Sequence, residues 1–276
     1  MVSDFFSVDA SLCRKDGICV QVCPVRIIRA GTGELPVMDE RLRNRCIGCG
    51  QCMAFCPTRA CVAPGFSRED VRPLDPASHP TPEQMEELVF ARRSIRNFKD
   101  KPVPEETLVR VLDAVRYAPT GNNRQAFRWI VTKNRERSRA LLELVIGWLR
   151  RLPETDPGMA ARLHSAGVVR GWDKGTDILS REAPHIVVPG GDGIFLDILD
   201  GIIGLSYYEM IAQAHGIGCC WSGYLTRAFD HPDAAEVRDF LGLEAGEAAF
   251  SALMVGFPRF KTVSRPPRKP LRLTWR

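Results

Sequence analysis

Residues 46–57 read CIGCGQCMAFCP, a C-x2-C-x2-C-x3-C-P run. Residues 13–24, CRKDGICVQVCP, repeat it with one change. Cys13 maps to Cys46, Asp16 to Cys49, Cys19 to Cys52, Cys23 to Cys56 and Pro24 to Pro57, each 33 residues on. Two copies at one offset imply a duplicated unit, and the offset assigns Asp16 to the position that the second copy fills with cysteine. Three thiolates this close together on a tight loop can wrap one iron–sulfur cube. The fourth cysteine of such a run ligates the other cluster when there are two. Zinc is the alternative metal, but its sites usually pair two C-x2-C knuckles across a longer loop.

The chain has 276 residues and ten cysteines. Eight fall within residues 13–61, and the other two, Cys219 and Cys220, are adjacent. In a reducing compartment such density points to metal rather than disulfides. The length suits two domains, and 45% hydrophobic with 26% charged residues is ordinary for a globular protein. The most apolar stretches, 141–149 and 194–205, carry Glu143, Asp197 and Asp200, so no membrane span is expected. The opening MVSDFF lacks a basic n-region and an apolar h-region, and a cytoplasmic protein without a signal peptide is expected. The net charge of +5 is scattered, with no basic stripe of interleaved aromatics, so no nucleic-acid partner is expected.

Over about the first 65 residues the paired runs resemble the bacterial two-cluster ferredoxins. By that resemblance Cys46, Cys49, Cys52 and Cys23 hold one [4Fe-4S] cluster. Cys13, Cys19 and Cys56 hold a second, [4Fe-4S] or [3Fe-4S], with Asp16 at its fourth corner. Three arrangements are open at that corner: a carboxylate ligand, a three-iron cluster, or a labile iron that takes solvent. Asp16-Gly17 also reads simply as a turn. Cys61, in CPTRAC, falls on an apolar core position after the proline and is expected to pack as a small hydrophobe, with a substitute ligand as the alternative.

Residues 73–82, PLDPASHPTP, hold four prolines and no apolar period. They read as a linker between a cluster domain at 1–72 and a second domain at 83–276. Thr81, Pro82 and Gln84 form a helix start with a capping box. Leu108, Val111, Leu112 and Val115 make one helical stripe that stops before Pro119. Runs 127–132, 185–188 and 250–255 read as strands, and 136–151 and 196–215 as helices. Few, separated strands among many helices give an α+β class.

Three separated stretches carry chemistry. In ARRSIRNF, 91–98, an extended backbone points Arg92, Ser94 and Arg96 to one side, where two guanidinium groups can grip a phosphate beside an electron-rich ring. APTGNNRQAF, 118–127, is a loop that offers amides and backbone for ring or polyol recognition. HGIGCCWSGYL, 215–225, is punctuated by Gly216, Gly218 and Gly223, which permit close backbone approach to a flat ligand. Tyr207 and Tyr208 are expected in the core, Cys219 and Cys220 in the interior without a disulfide, and His215 in a packing or capping role.

Taken together, RRSIR, APTGNNRQ, GIG..W.G and the terminal GFPRFKTVSRPPRKP resemble the FMN-dependent nitroreductase family across roughly residues 88–276. One departure is Ala126-Phe127 after Gln125, where the family often has Pro-Trp. The resemblance implies a three-layer α/β/α flavin domain following the small ferredoxin-like iron–sulfur domain. It implies FMN contacts from Arg92, Arg93, Ser94 and Arg96, with Arg96 at the N1/O2 edge, where a cation favours flavin reduction. Thr120, Asn122, Asn123 and Gln125 would contact the flavin, some of them from a partner subunit. Ser222 and Gly223 would meet the N5/O4 edge, and Arg265 and Arg268 would close on the phosphate. The family is dimeric, so a homodimer with FMN at the subunit interface is expected. No side chain is expected to act as a catalytic nucleophile. The implied reaction takes electrons from an external low-potential donor through the clusters to FMN, then delivers hydride from N5 to an electron-poor nitro compound, quinone or activated alkene. An electron-transfer flavoprotein relaying electrons between protein partners is the alternative.

Overall fold

The computed structural model describes residues 5–276. The chain forms two compact units, one running through His79 and taking in Asn122–Arg124, the other made of Pro80–Gly121 with Gln125–Arg276.

The first unit contains β1 (Ser7–Val8), α1 (Ile18–Val22), β2 (Ile28–Arg29), β3 (Val37–Met38), α2 (Gln51–Ala54) and β4 (Cys61–Val62). β1 pairs antiparallel with β4, and β2 with β3. The duplication read from the cysteines is also written in the backbone. Left-handed φ values recur at the same offset: Lys15 58° and Gly48 60°, Gly17 72° and Gly50 68°, Arg26 53° and Arg59 55°. Gly17 and Gly50 each sit immediately before a short helix, where the reversed φ turns the chain into α1 and α2. β2 maps onto β4 at that offset, so Ile28 and Cys61 are equivalent, and both are buried.

In the second unit α3 (Pro82–Ala91) begins at Thr81, whose Oγ1 accepts from Gln84 N at 3.2 Å, while Gln84 Oε1 accepts from Thr81 N at 2.9 Å. This is the capping box expected from the sequence. There follow α4 (Glu105–Val115), β5 (Arg128–Val131), α5 (Arg135–Thr155), α6 (Pro157–Leu163), α7 (Ser165–Asp173), β6 (His185–Asp192) and α8 (Phe195–Ala214). The unit closes with β7 (Gly218–Trp221), α9 (Gly223–Phe229), α10 (Ala235–Phe240), β8 (Glu247–Ala249) and β9 (Leu253–Gly256).

Its sheet runs β5-β6-β9-β7, with β8 also on β6, and every pairing is antiparallel. Side chains alternate across it. Ile186, Val188, Cys220 and Met254 join a core with Leu141, Val145, Trp148 and Leu149 of α5. Val187, Cys219, Leu253 and Val255 join another with Val111 and Val115 of α4 and Leu205 and Tyr208 of α8. Helices therefore cover both faces and give three layers. The adjacent cysteines point into opposite cores, so both are free. Tyr208 is fully buried as expected, but Tyr207, about 100° round the helix, is exposed.

Three differences from the sequence reading have physical causes. The expected strand at 250–255 is split, with β8 ending at Ala249 and β9 starting at Leu253, while Phe250 N still donates to Pro189 O at 2.9 Å. β6 continues four residues past 188, through Pro189-Gly190-Gly191, which reads as a break but pairs with β5 and β8. β7 was not legible as a strand. Its four residues are flanked by sheet and helices, so polar alternation is lacking.

Candidate functional site

The duplicated loops of the first unit enclose two small cavities. One, of about 20 Å³, is lined by Cys23, Cys46, Cys49 and Cys52, together with Ile28 and other apolar groups. The other, of about 10 Å³, is lined by Cys13, Asp16, Cys19, Cys56 and Cys61. The reversed chain at Gly17 and Gly50 makes this possible, because each run bends back so that its last cysteine reaches the other run's cavity. Among the described residues no three His, Cys, Asp or Glu side chains converge on a position for a single metal ion. The cysteines ring voids instead.

The thiols of these cavities differ in character. Burial pushes Cys52 up to about 12 and raises Cys19 and Cys61. Burial also works against the Cys56 thiolate, but hydrogen bonds from Thr58, Cys61 and Ala60 outweigh it and hold Cys56 below the ordinary thiol value. Ala60 N lies 3.2 Å from Cys56 Sγ, and Lys15 N donates to Cys13 Sγ at 3.4 Å. Amide donors aimed at sulfur favour its anionic form. Buried thiols that resist ionisation become thiolates readily when a cation binds them, so the donor set fits an iron–sulfur group. Asp16 Oδ1 accepts from Ile18 N at 3.1 Å, the turn bond expected of Asp-Gly, while its side chain still lines the cavity.

The second unit holds a cleft of about 300 Å³ where β7 gives way to α9. Arg96, Cys220, Trp221, Ser222 and Gly223 line it, with Arg181 and Arg227 adding two further cations. The segment after α3 reaches the cleft by running along β7: Ile95 N donates to Cys219 O at 2.9 Å, and Ser94 bridges Cys219. Gly218 allows this, since a Cβ there would lie 2.6 Å from Ile95. Ser222 is 2% exposed, and among the described residues its Oγ has no hydrogen-bond partner. A Cβ on Gly223 would meet nothing within 4 Å. An orphaned buried hydroxyl, an open backbone and three guanidinium groups suit an anionic ligand with a polar planar edge.

A nitroreductase family model matches residues 89–257, and a 4Fe-4S dicluster model matches residues 12–61. This chain belongs to the nitroreductase family of oxidoreductases. A provisionally named NADH dehydrogenase/NAD(P)H nitroreductase of Methanothermobacter thermautotrophicus is 25% identical over 62% of this chain and 76% of its own length. An FMN reductase [NAD(P)H] of Bacillus subtilis is 25% identical over 63% of this chain and 66% of its own. Among solved structures, a nitroreductase with bound FMN from Desulfitobacterium hafniense superposes with a TM-score of 0.54 and 26% identity, covering 69% of this chain and 97% of that one.

The chain brings Arg96, Ser222 and Gly223 of the expected flavin contacts into the cleft lining. The others do not line it. Arg92 Nη1 donates to Glu209 Oε1 at 3.0 Å, and Trp221 Nε1 donates to Glu209 Oε2 at 3.3 Å, so a buried carboxylate on α8 ties the arginine segment to β7. Arg93 Nη1 donates to Arg92 O. Thr120 Oγ1 accepts from Gln125 N at 3.2 Å, and Gly121 N meets both Asp200 oxygens at 3.0 Å. Asn122, Asn123 and Gln125 adopt left-handed φ of 52°, 54° and 47°. Asn123 belongs to the first unit, where its Nδ2 donates to Ile47 O at 3.2 Å and Gly48 O at 3.0 Å. The Arg265 guanidinium stacks 3.4 Å over Phe90, and Arg268 is exposed. Arg181, Arg227, Glu209 and Asp200 escaped the sequence reading as site groups. Each is a single charged residue outside the motifs, and packing alone brings Arg181 and Arg227 to the cleft, Glu209 to Arg92 and Trp221, and Asp200 to Gly121.

Proposed function

We propose that this nitroreductase-family chain is an FMN-dependent oxidoreductase fed through its own iron–sulfur clusters, reducing an electron-poor nitro compound, quinone or activated alkene. The observation that carries the reading is the cleft of Arg96, orphaned Ser222 Oγ and open Gly223 on the same chain as two cysteine-lined cavities. When bound, the clusters move single electrons at low potential and FMN accepts them singly and passes on a hydride from N5.

Cys23, Cys46, Cys49 and Cys52 would hold one cluster. Cys13, Cys19 and Cys56 would hold the other, with Asp16 beside its fourth corner. Arg96 would set positive charge at the pyrimidine edge of the flavin, and the Ser222 hydroxyl would donate to a ring oxygen or nitrogen. Gly223, lacking a Cβ, would leave the ring face clear. Arg92, held by Glu209, would brace the segment carrying Arg93, Ser94 and Arg96. Thr120, Asn122, Asn123, Gln125, Arg265 and Arg268 would complete the site, in part across a homodimer. Phe195, Leu199, Ile203 and Tyr207 support that assembly, since they expose an apolar stripe at four-residue spacing along α8. The domain limits in this reading are 1–72, 73–82 and 83–276. Among the described residues no helix is long and apolar enough to cross a membrane, and easily oxidised clusters suit a cytoplasm supplying a low-potential donor.

The test is anaerobic purification of the full chain with flavin, iron and sulfide counted, followed by turnover with a chemically reduced one-electron donor. FMN is expected in the protein, and Arg96→Ala should weaken its binding about 10- to 100-fold, the loss of one charge-assisted hydrogen bond. Protein that carries no flavin would end this reading. Flavin and clusters without any small-molecule turnover would favour the relay between protein partners.

A further inference from the structure

The two cavities of the first unit are related by the 33-residue repeat, yet they differ at two positions. Asp16 stands where the first cavity has Cys49, and Cys61 stands where it has Ile28. The second cavity has therefore lost one thiol and gained another, and four cysteines line each. Building on the cluster reading above, we propose that Cys61, and not Asp16, supplies the fourth thiolate of the second cluster.

Two observations support the exchange. Asp16 is already employed: its Oδ1 accepts from Ile18 N between the left-handed Lys15 and Gly17, and so holds the turn into α1. A short carboxylate is well suited to that local bond. Cys61 is 2% exposed on β4, its backbone set by the Val8↔Cys61 pairing, and it lines the same cavity as Cys13, Cys19 and Cys56. A residue needed only to fill space there could be apolar, as Ile28 is in the sister cavity. Ligation replaces the Cys61 S–H bond with an S–Fe bond, and the proton leaves to solvent. No electron changes hands in that step.

The test uses the full chain, purified anaerobically, with iron and labile sulfide counted and electron paramagnetic resonance recorded before and after reduction. Wild type is expected to hold about eight irons per chain, the content of two four-iron clusters, with no three-iron signal when oxidised. Cys61→Val, which keeps the apolar packing, should drop to about seven irons and show the three-iron signal, with the other cluster intact. Asp16→Asn should keep about eight. A Cys61→Val protein that keeps about eight irons overturns the inference, as does wild type with about seven and a three-iron signal. Should Cys61→Val lose both clusters, Cys61→Ser decides: a changed spectrum for the reduced second cluster supports ligation, and an unchanged one overturns it. Iron-free wild type would instead bring down the underlying cluster reading.

Discussion

The two units are stabilised by different means. In the first, among the described residues, four of the nine buried residues of the core cluster are cysteines, no α-helix exceeds one and a half turns, and the strands are two residues long. In the second, a five-stranded sheet separates two cores rich in Leu, Val and Ile, with Trp148 and Tyr208 fully buried. A segment of that size with so little hydrocarbon gains too little burial to offset chain entropy by itself. A bound metal cluster joins residues far apart in sequence and makes up the difference. The contrast predicts a metal-dependent unit beside a self-sufficient one.

The largest expected effect comes from stripping iron with an anaerobic chelator. Structural metals contribute on the order of 10 kcal/mol to folding, so limited proteolysis followed by mass spectrometry should cut freely before His79 and spare 80–276. Equal protection of both units after stripping would abolish the distinction. A smaller effect tests the second unit's dependence on one buried polar group. Glu209 takes hydrogen bonds from Arg92 and Trp221 and is 9% exposed. Glu209→Ala leaves the half-buried Arg92 unpaired and should cost about 3 kcal/mol, read as a lower Tm with the iron content unchanged. An effect below about 0.5 kcal/mol would mean that the pair behaves like an exposed one.

The smallest effect is a pH dependence specific to the second unit. Burial lowers the His185 pKa, while Val103 N donates to Nε2 at 3.0 Å and Nδ1 lies 2.9 Å from Thr132 O. With Nε2 accepting, Nδ1–H donates, and the folded ring is neutral. The unfolded chain protonates its histidine below about pH 6.5, so it binds the extra proton first. Stability is then lost as pH falls from about 6.5 toward the lowered value, by up to about 1.4 kcal/mol per pH unit. Melting curves from pH 8 to 5.5 should show this slope in wild type and a flatter one in His185→Gln. Equal slopes would assign the acid sensitivity elsewhere.

Much of the second unit was legible because its periodicities are long. The α4 stripe, the Thr81 capping box and the apolar α5 and α8 announce themselves through repeated spacing and local chemistry. β7 and β8 did not, since short strands within a covered sheet carry no alternation that a sequence can display. Within the cleft, Arg96, Ser222 and Gly223 lie in motifs dense enough to be noticed, whereas Arg181 and Arg227 come from a loop and a helix with no motif. Arg92 was noticed too, but its engagement with Glu209, 117 residues away, is a property of packing.

The cysteine spacing and its 33-residue offset, both purely sequential, determined that the first unit is duplicated and that Asp16 occupies a cysteine slot. Those are short-range facts, and a tight loop leaves little freedom in how neighbouring thiols are presented. Which thiols share a cavity was decided by tertiary structure. Cys61 lies 45 residues from Asp16, and nothing in its own neighbourhood marks it as more than a small apolar residue. Chain reversals at Gly17 and Gly50 and the pairing of β4 with β1 bring it to Cys19. Local spacing encodes local geometry, whereas a contact closed across a fold depends on the packing of everything between.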